Sequence, residues 1–174
     1  AEAMGSPERS VTLVSPYFIP TKAGVEIFRD LERKGVHVRV LTNSLEANDV
    51  AMVHAGYAKY RKPLLQAGVQ LFELRKLLGA ESVESQLQDN LVGSSSSSLH
   101  AKTFAVDGET LFVGSFNFDP RSVHINTELG FVIESPELAQ VMESHFEEQA
   151  MITAYEVVLD DDGDLQWIER NGEE

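Results

Sequence analysis

The sequence predicts an α/β domain with a mixed sheet flanked by helices. Three observations lead there. Strand-like apolar runs alternate with amphipathic helical runs over residues 11–74, the pattern of parallel strands joined by crossover helices. After residue 99 two apolar runs flank an Asp-Gly pair, which marks an antiparallel hairpin. The chain has 174 residues and 43% apolar side chains, enough for one domain with a real core.

The elements follow in order. Residues 1–10 form a polar N-terminal segment, and residues 11–18 read as a buried strand. Thr21 can cap a helix that runs to Lys34, and Gly35 is placed to end it. Residues 36–41 alternate strictly, with Val36, Val38 and Val40 on one face and His37 and Arg39 on the other. Asn48 or Asp49 can cap the next helix, whose stripe is Val50, Val53, Tyr57, Tyr60 and Leu64. Gly68 ends it, and residues 69–74 form a third strand. Residues 79–98 are polar and close on a serine run. They read as a connecting loop, with a flap over the following strand as the alternative.

Residues 99–106 and 110–116 are the hairpin strands, and 127–133 is another strand. Ser135-Pro136 supplies a cap and a first helical residue. The helix stripe is Leu138, Val141, Met142, His145 and Phe146, which makes His145 a packing residue, as alternation makes His37. The domain spans 11–154. A tail at 155–174 holds a strand, an acidic turn at 160–164 and a second strand. Tyr17 and Phe18 close the first strand, with core packing as their default role and a pocket mouth as the alternative.

Composition narrows the function. There is no cysteine, so disulfides and thiolate ligands are excluded. No run approaches the roughly 20 apolar residues of a membrane span. The first ten residues lack a signal peptide's basic and apolar regions. A polar decapeptide leading straight into a strand reads as a cut end, so the chain is expected to be a soluble fragment of something longer. The net charge is −14, split as +3 over residues 1–80 and −17 over 81–174. An acidic surface repels a nucleic-acid backbone, whose binding rests on Lys and Arg.

Chemistry concentrates between residues 100 and 128. Strand residues two apart share a face about 7 Å apart, so His100 and Lys102 project together. A tight Asp107-Gly108 turn would place Ser115 directly opposite His100, with Asn117 one diagonal step along. Imidazole, lysine, hydroxyl and carboxamide then converge on one patch, a set suited to a phosphate. Glu128 points away from the apolar face of Leu129, Phe131 and Ile133, and can fix the tautomer of a nearby imidazole. Gly130 beside it leaves room for a close approach. A metal reading of His100, His124, Glu128 and Asp107 leaves Lys102 unexplained, so neither metal nor cofactor is expected.

The run LHAKTFAVDGETLFVGSFNFD resembles the signature of the phospholipase D superfamily. That signature is a histidine, one residue, a lysine, four residues and an aspartate, then Gly-Ser-x-Asn. Here these are His100, Lys102, Asp107, Gly114, Ser115 and Asn117, and Asn126-Thr127-Glu128 is similar to the family's downstream glutamate. SPYFIPTKAGVEIFRDLERKGVHVRVLTNS and the last helix also resemble the C-terminal half of bacterial cardiolipin synthases.

The resemblance implies a phospholipase D-like half carrying a single motif copy. It implies His100, Lys102, Asp107 and Glu128 as catalytic residues and Ser115 and Asn117 as substrate-binding ones. Asp-Gly makes a turn unaided, so Asp107 also has a structural reading. The implied reaction needs no metal. One histidine attacks a phosphodiester to form a phosphohistidine, and a second, from another motif copy, protonates the leaving alcohol. Nucleophile and general acid both stay open for His100. His37, His54, His124 and His145 have no lysine two residues on, so the second copy must come from a missing N-terminal half or a homodimer. The implied function is cardiolipin synthesis from phosphatidylglycerol or a similar phospholipid, at the cytoplasmic side of a bacterial inner membrane as a peripheral protein. The alternative is a dimeric nuclease of the same superfamily, which the charge disfavours.

Overall fold

A computed structural model describes residues 5–47, 51–75, 99–124 and 127–169. The predicted 79–98 loop and the Asn48 and Asp49 caps lie outside the described residues. An eight-stranded mixed sheet runs in the order β6-β5-β4-β1-β2-β3-β7-β8. Strands β1 (Ser10–Val14), β2 (His37–Asn43) and β3 (Gln70–Leu74) are parallel. Strand β4 (Thr103–Val106) joins β1 antiparallel, followed by β5 (Thr110–Gly114) and β6 (Gly130–Glu134). Strands β7 (Ala154–Leu159) and β8 (Leu165–Glu169) extend the same sheet beyond β3.

Helices cover both faces. Helices α1 (Thr21–Arg33), α2 (Ala51–Ala58) and α3 (Arg61–Gln66) cover one. Val25, Phe28, Tyr57 and Leu64 meet the valines of β1 and β2 in the main core. Helix α5 (Pro136–Thr153) covers the other, with Phe146 and Ala150 against Val14 and Leu41. A short α4 (Pro120–His124) follows β5.

Most elements form where the sequence places them. Val36, Val38 and Val40 are buried on one face of β2, as alternation requires. Gly35 ends α1 with φ at 84°, a left-handed conformation that suits glycine. Ser135 caps α5 by accepting the Leu138 N–H at 3.3 Å.

Five expectations change. The hairpin strand expected from residue 99 begins at Thr103, so His100 and Lys102 precede it. Thr21 is the first helical residue rather than the cap; Pro20 sits at the cap position without a side-chain bond. The single helix expected before Gly68 breaks at residues 59–60 into α2 and α3, because Pro63 has no N–H for the Lys59 carbonyl and is tolerated in the first turn of a new helix. His37 is exposed, because it is the first residue of β2, while Arg39 on the same face is the one that reaches α5 through Glu147. On α5 the buried residues are Ala139, Phe146 and Ala150, while Leu138 and Val141 are 44% and 59% exposed. Small residues bring the helix close to β4 and β5, which turns the larger ones outward. Phe18 is buried among Phe28, Tyr57 and Phe118, the packing role assigned by default.

Asp107 lies in the β4–β5 turn and ties the N-terminal segment to it. Its carboxylate accepts the backbone N–H groups of Glu8, Arg9 and Ser10 at 2.9, 2.7 and 2.9 Å. Partial burial pushes its pKa up, but these three bonds together with the Arg9 charge outweigh burial and hold it below the usual value. A folded-state pKa below the unfolded one contributes stability above the unfolded pKa, about 4. That stability is lost as pH falls through the folded pKa. Asp107→Asn should therefore melt below the parent at pH 6–7, and the gap should close progressively below about pH 4. Thermal melts across that range check it. A gap independent of pH, or lost activity at an unchanged melting temperature, would contradict the structural role.

Candidate active site

Apart from Asp107, the motif residues lie where β4 begins and β5 ends, at the end of the sheet where β1, β2 and β3 terminate. His100 is exposed and precedes β4 by three residues. Lys102 is half-buried and donates from Nζ to the His100 carbonyl at 2.9 Å. Burial lowers the pKa of its ammonium, opposed by the Glu128 carboxylate. Ser115 follows β5, and its hydroxyl donates to Glu128 Oε2 at 2.5 Å. The same hydroxyl accepts the Leu129 N–H at 3.0 Å, while the Ser115 N–H donates to the Leu129 carbonyl at 2.8 Å.

Ser115 thus bonds Glu128, whose charge acts on Lys102, and Lys102 in turn bonds the His100 backbone. Asn117 is half-buried beyond Ser115, and its buried Oδ1 accepts no hydrogen bond from the described residues. Such an orphan oxygen is the kind of group a bound substrate can satisfy.

The register differs from the tight-turn expectation. Thr103 pairs with Val113 and Val106 with Thr110, so three residues rather than two form the turn. Asp107 and Gly108 both hold positive φ, 56° and 63°, and Glu109 completes the loop. The extra residue shifts the partner strand by one. Ser115 is therefore not opposite His100; the Gly114 N–H bonds the Lys102 carbonyl at 3.1 Å instead. Ser115 reaches Glu128 through the β5–β6 pairing, where Gly114 faces Gly130. The close approach that Gly130 permits is made by the Phe112 ring: a Cβ on Gly130 would lie 2.3 Å from its atoms.

Asp107 sits at the far end of β4, about 20 Å from His100 along an extended chain. The considered metal set of His100, Asp107, Glu128 and His124 therefore does not converge. The His124 side chain and Asn126 lie outside the described residues. Two residues escaped the sequence reading. Asn43 and Ser15, 1% and 2% exposed, end β2 and β1 beside the motif and bond its backbone. The legible signal was a run of polar residues, Thr42-Asn43-Ser44, closing a buried strand.

The chain matches the family model "Cardiolipin synthase, PLD-like domain" over residues 1–150. It is 50% identical over 171 residues to cardiolipin synthase C of Escherichia coli (strain K12), covering 98% of this chain and 36% of that protein. Its fold is similar to Nuc, a phospholipase D family member from Salmonella typhimurium, with a TM-score of 0.64 and 16% identity over 90% of this chain and 87% of that one. Phosphatidylserine synthase of Haemophilus influenzae Rd KW20 is similar at a TM-score of 0.59 and 14% identity, over 97% of this chain and 36% of that one. This chain therefore spans about a third of the curated relative it matches at 50% identity. With the motif, the sheet and the whole-length similarity in agreement, the chain belongs to the cardiolipin synthase family of phospholipase D-like domains.

Proposed function

We propose that this chain supplies one half of an active site that condenses phospholipids into cardiolipin. The observation carrying the proposal is 50% identity to a cardiolipin synthase along 98% of the chain. The Lys102–Glu128–Ser115 cluster beside His100 supports it. Two imidazoles share the work, His100 and its counterpart in a second motif copy. One attacks phosphorus and forms a P–N bond as the P–O bond to the first glycerol breaks. The other gives that oxygen a proton. A hydroxyl of a second phosphatidylglycerol then loses its proton to the second imidazole and attacks phosphorus, breaking the P–N bond.

Lys102 and Asn117 offset charge on the phosphate oxygens, and Glu128 holds the His100 tautomer, with Ser115 orienting Glu128. The donor set fits this reaction without a resident metal: a lysine stands where a divalent ion would want carboxylates. The second copy comes from the other half of a longer protein or from a second chain. The edge strand β6 suits such contact, with Leu129 and Phe131 68% and 63% exposed beside Glu128. A phospholipid substrate requires work at a membrane surface, and the proposed location is peripheral, on the cytoplasmic side of a bacterial inner membrane. No helix among the described residues is long and apolar enough to cross a membrane.

The test supplies phosphatidylglycerol vesicles and, separately, DNA to the active assembly. Cardiolipin and glycerol are the expected products. DNA cleavage without lipid turnover would replace this reading with the nuclease one, against which the net charge of −14 stands.

A further inference from the structure

We infer that Asn43 is a positioning residue for His100. Asn43 is the last residue of β2 and is 1% exposed. Its carboxamide oxygen accepts the Leu99 N–H at 3.0 Å. Its Nδ2 faces two carbonyls, of Leu99 and of Pro16, each at 3.5 Å. One side chain thus grips both polar groups of the residue immediately before His100, and ties them to the segment leaving β1.

The grip matters because the ladder does not reach this far. β4 begins at Thr103, and the nearest cross-strand bond to its partner uses the Lys102 carbonyl. His100 itself is exposed. The Leu99 side chain is anchored in the second core cluster with Val14, Leu41 and Phe146. Core packing fixes where Leu99 lies; the Asn43 bonds fix the rotation of its peptide groups and hence the direction in which the next side chain leaves. A matching device holds the other arm of the motif. The Ser15 hydroxyl, at the end of β1, accepts the Phe118 N–H at 3.1 Å and donates to the Tyr17 carbonyl at 2.8 Å, next to Asn117. The buried polar ends of two parallel strands therefore hold the backbone on both sides of the site.

Misplacing a reacting group by about 1 Å can cost roughly 100-fold in rate. Asn43→Ala and Asn43→Leu should accordingly lower kcat by about 10–100-fold while KM stays near that of the parent. Val40→Ala, a cavity in the same strand away from the motif, should lower the melting temperature without this loss of kcat. The kinetic arm rests on the reading of His100 as a reacting imidazole, so it is paired with amide exchange at Leu99, which does not. The Leu99 amide should exchange slowly in the unsubstituted chain and much faster in the two Asn43 variants. Assays use the active assembly on phosphatidylglycerol vesicles; exchange is read by mass spectrometry or NMR. Normal kcat in folded Asn43 variants overturns the inference. So does fast exchange at Leu99 in the unsubstituted chain, whether or not any variant folds. Lack of lipid turnover by the unsubstituted assembly, with Leu99 exchange behaving as expected, would sink the cardiolipin reading and leave Asn43 as the holder of His100.

Discussion

His100→Ala is expected to abolish lipid turnover, and Lys102→Ala to come close. Among the described site residues, the imidazole is the group best suited to capture phosphorus covalently or to protonate a leaving alcohol near neutral pH. General acid–base help alone is typically worth about 10²–10⁴-fold, and losing covalent capture adds to that. Lys102 is half-buried and sits between the His100 carbonyl and the field of Glu128. Phosphoryl transfer depends mainly on positioning and on fixed charge at the phosphate oxygens, so deleting this cation leaves the developing charge poorly met. A chelator should leave the rate unchanged, because no cluster of three His, Asp or Glu side chains gathers among the described residues and Lys102 supplies a cation beside Glu128. The measurement is cardiolipin formed from labelled phosphatidylglycerol by the parent assembly, the two variants and a chelator-treated sample. Full activity in His100→Ala, or chelator inhibition reversed by added metal, would remove this mechanism.

The residues that gather at the site were legible because alternation and the motif are local signals. Val36, Val38 and Val40 announced the core face of β2, and Ser135-Pro136 announced the start of α5. What the sequence hid was decided by one-residue offsets and by contacts distant along the chain. A two-residue and a three-residue Asp-Gly turn look alike in sequence, yet the third residue moves Ser115 from His100 to Glu128. Leu138 and Val141 read as core because they are large, but α5 meets the sheet through Ala139, Phe146 and Ala150 instead. Asn43 could not be assigned, since its partner Leu99 lies 56 positions away.

The same limit hid the largest electrostatic feature of the core, and the second large effect is expected there. Glu73 on β3 is 1% exposed, and Arg61 on α3 is 8% exposed. Arg61 forks onto the carboxylate, Nε to Oε1 at 2.6 Å and Nη2 to Oε2 at 3.1 Å. Trp167 on β8 donates its indole N–H to Oε2 at 3.0 Å. The guanidinium lies over the rings of Tyr57 and Trp167, 4.9 and 5.2 Å from their centroids, and Nη2 meets the His54 ring at 2.8 Å. One ion pair therefore joins α2, α3, β3 and β8. Arg61→Ala strands a buried carboxylate and should cost about 3–5 kcal/mol of folding stability. Trp167→Phe removes one charge-assisted bond and should cost about 1.5–3 kcal/mol. A double replacement, Arg61→Met with Glu73→Leu, removes both charges while filling the space. It should be far less damaging than Arg61→Ala, because desolvating two ions offsets most of what their attraction contributes. Urea unfolding of the three variants against the parent decides the matter. A double variant as unstable as Arg61→Ala would mean that packing, rather than the uncompensated charge of Glu73, sets the cost.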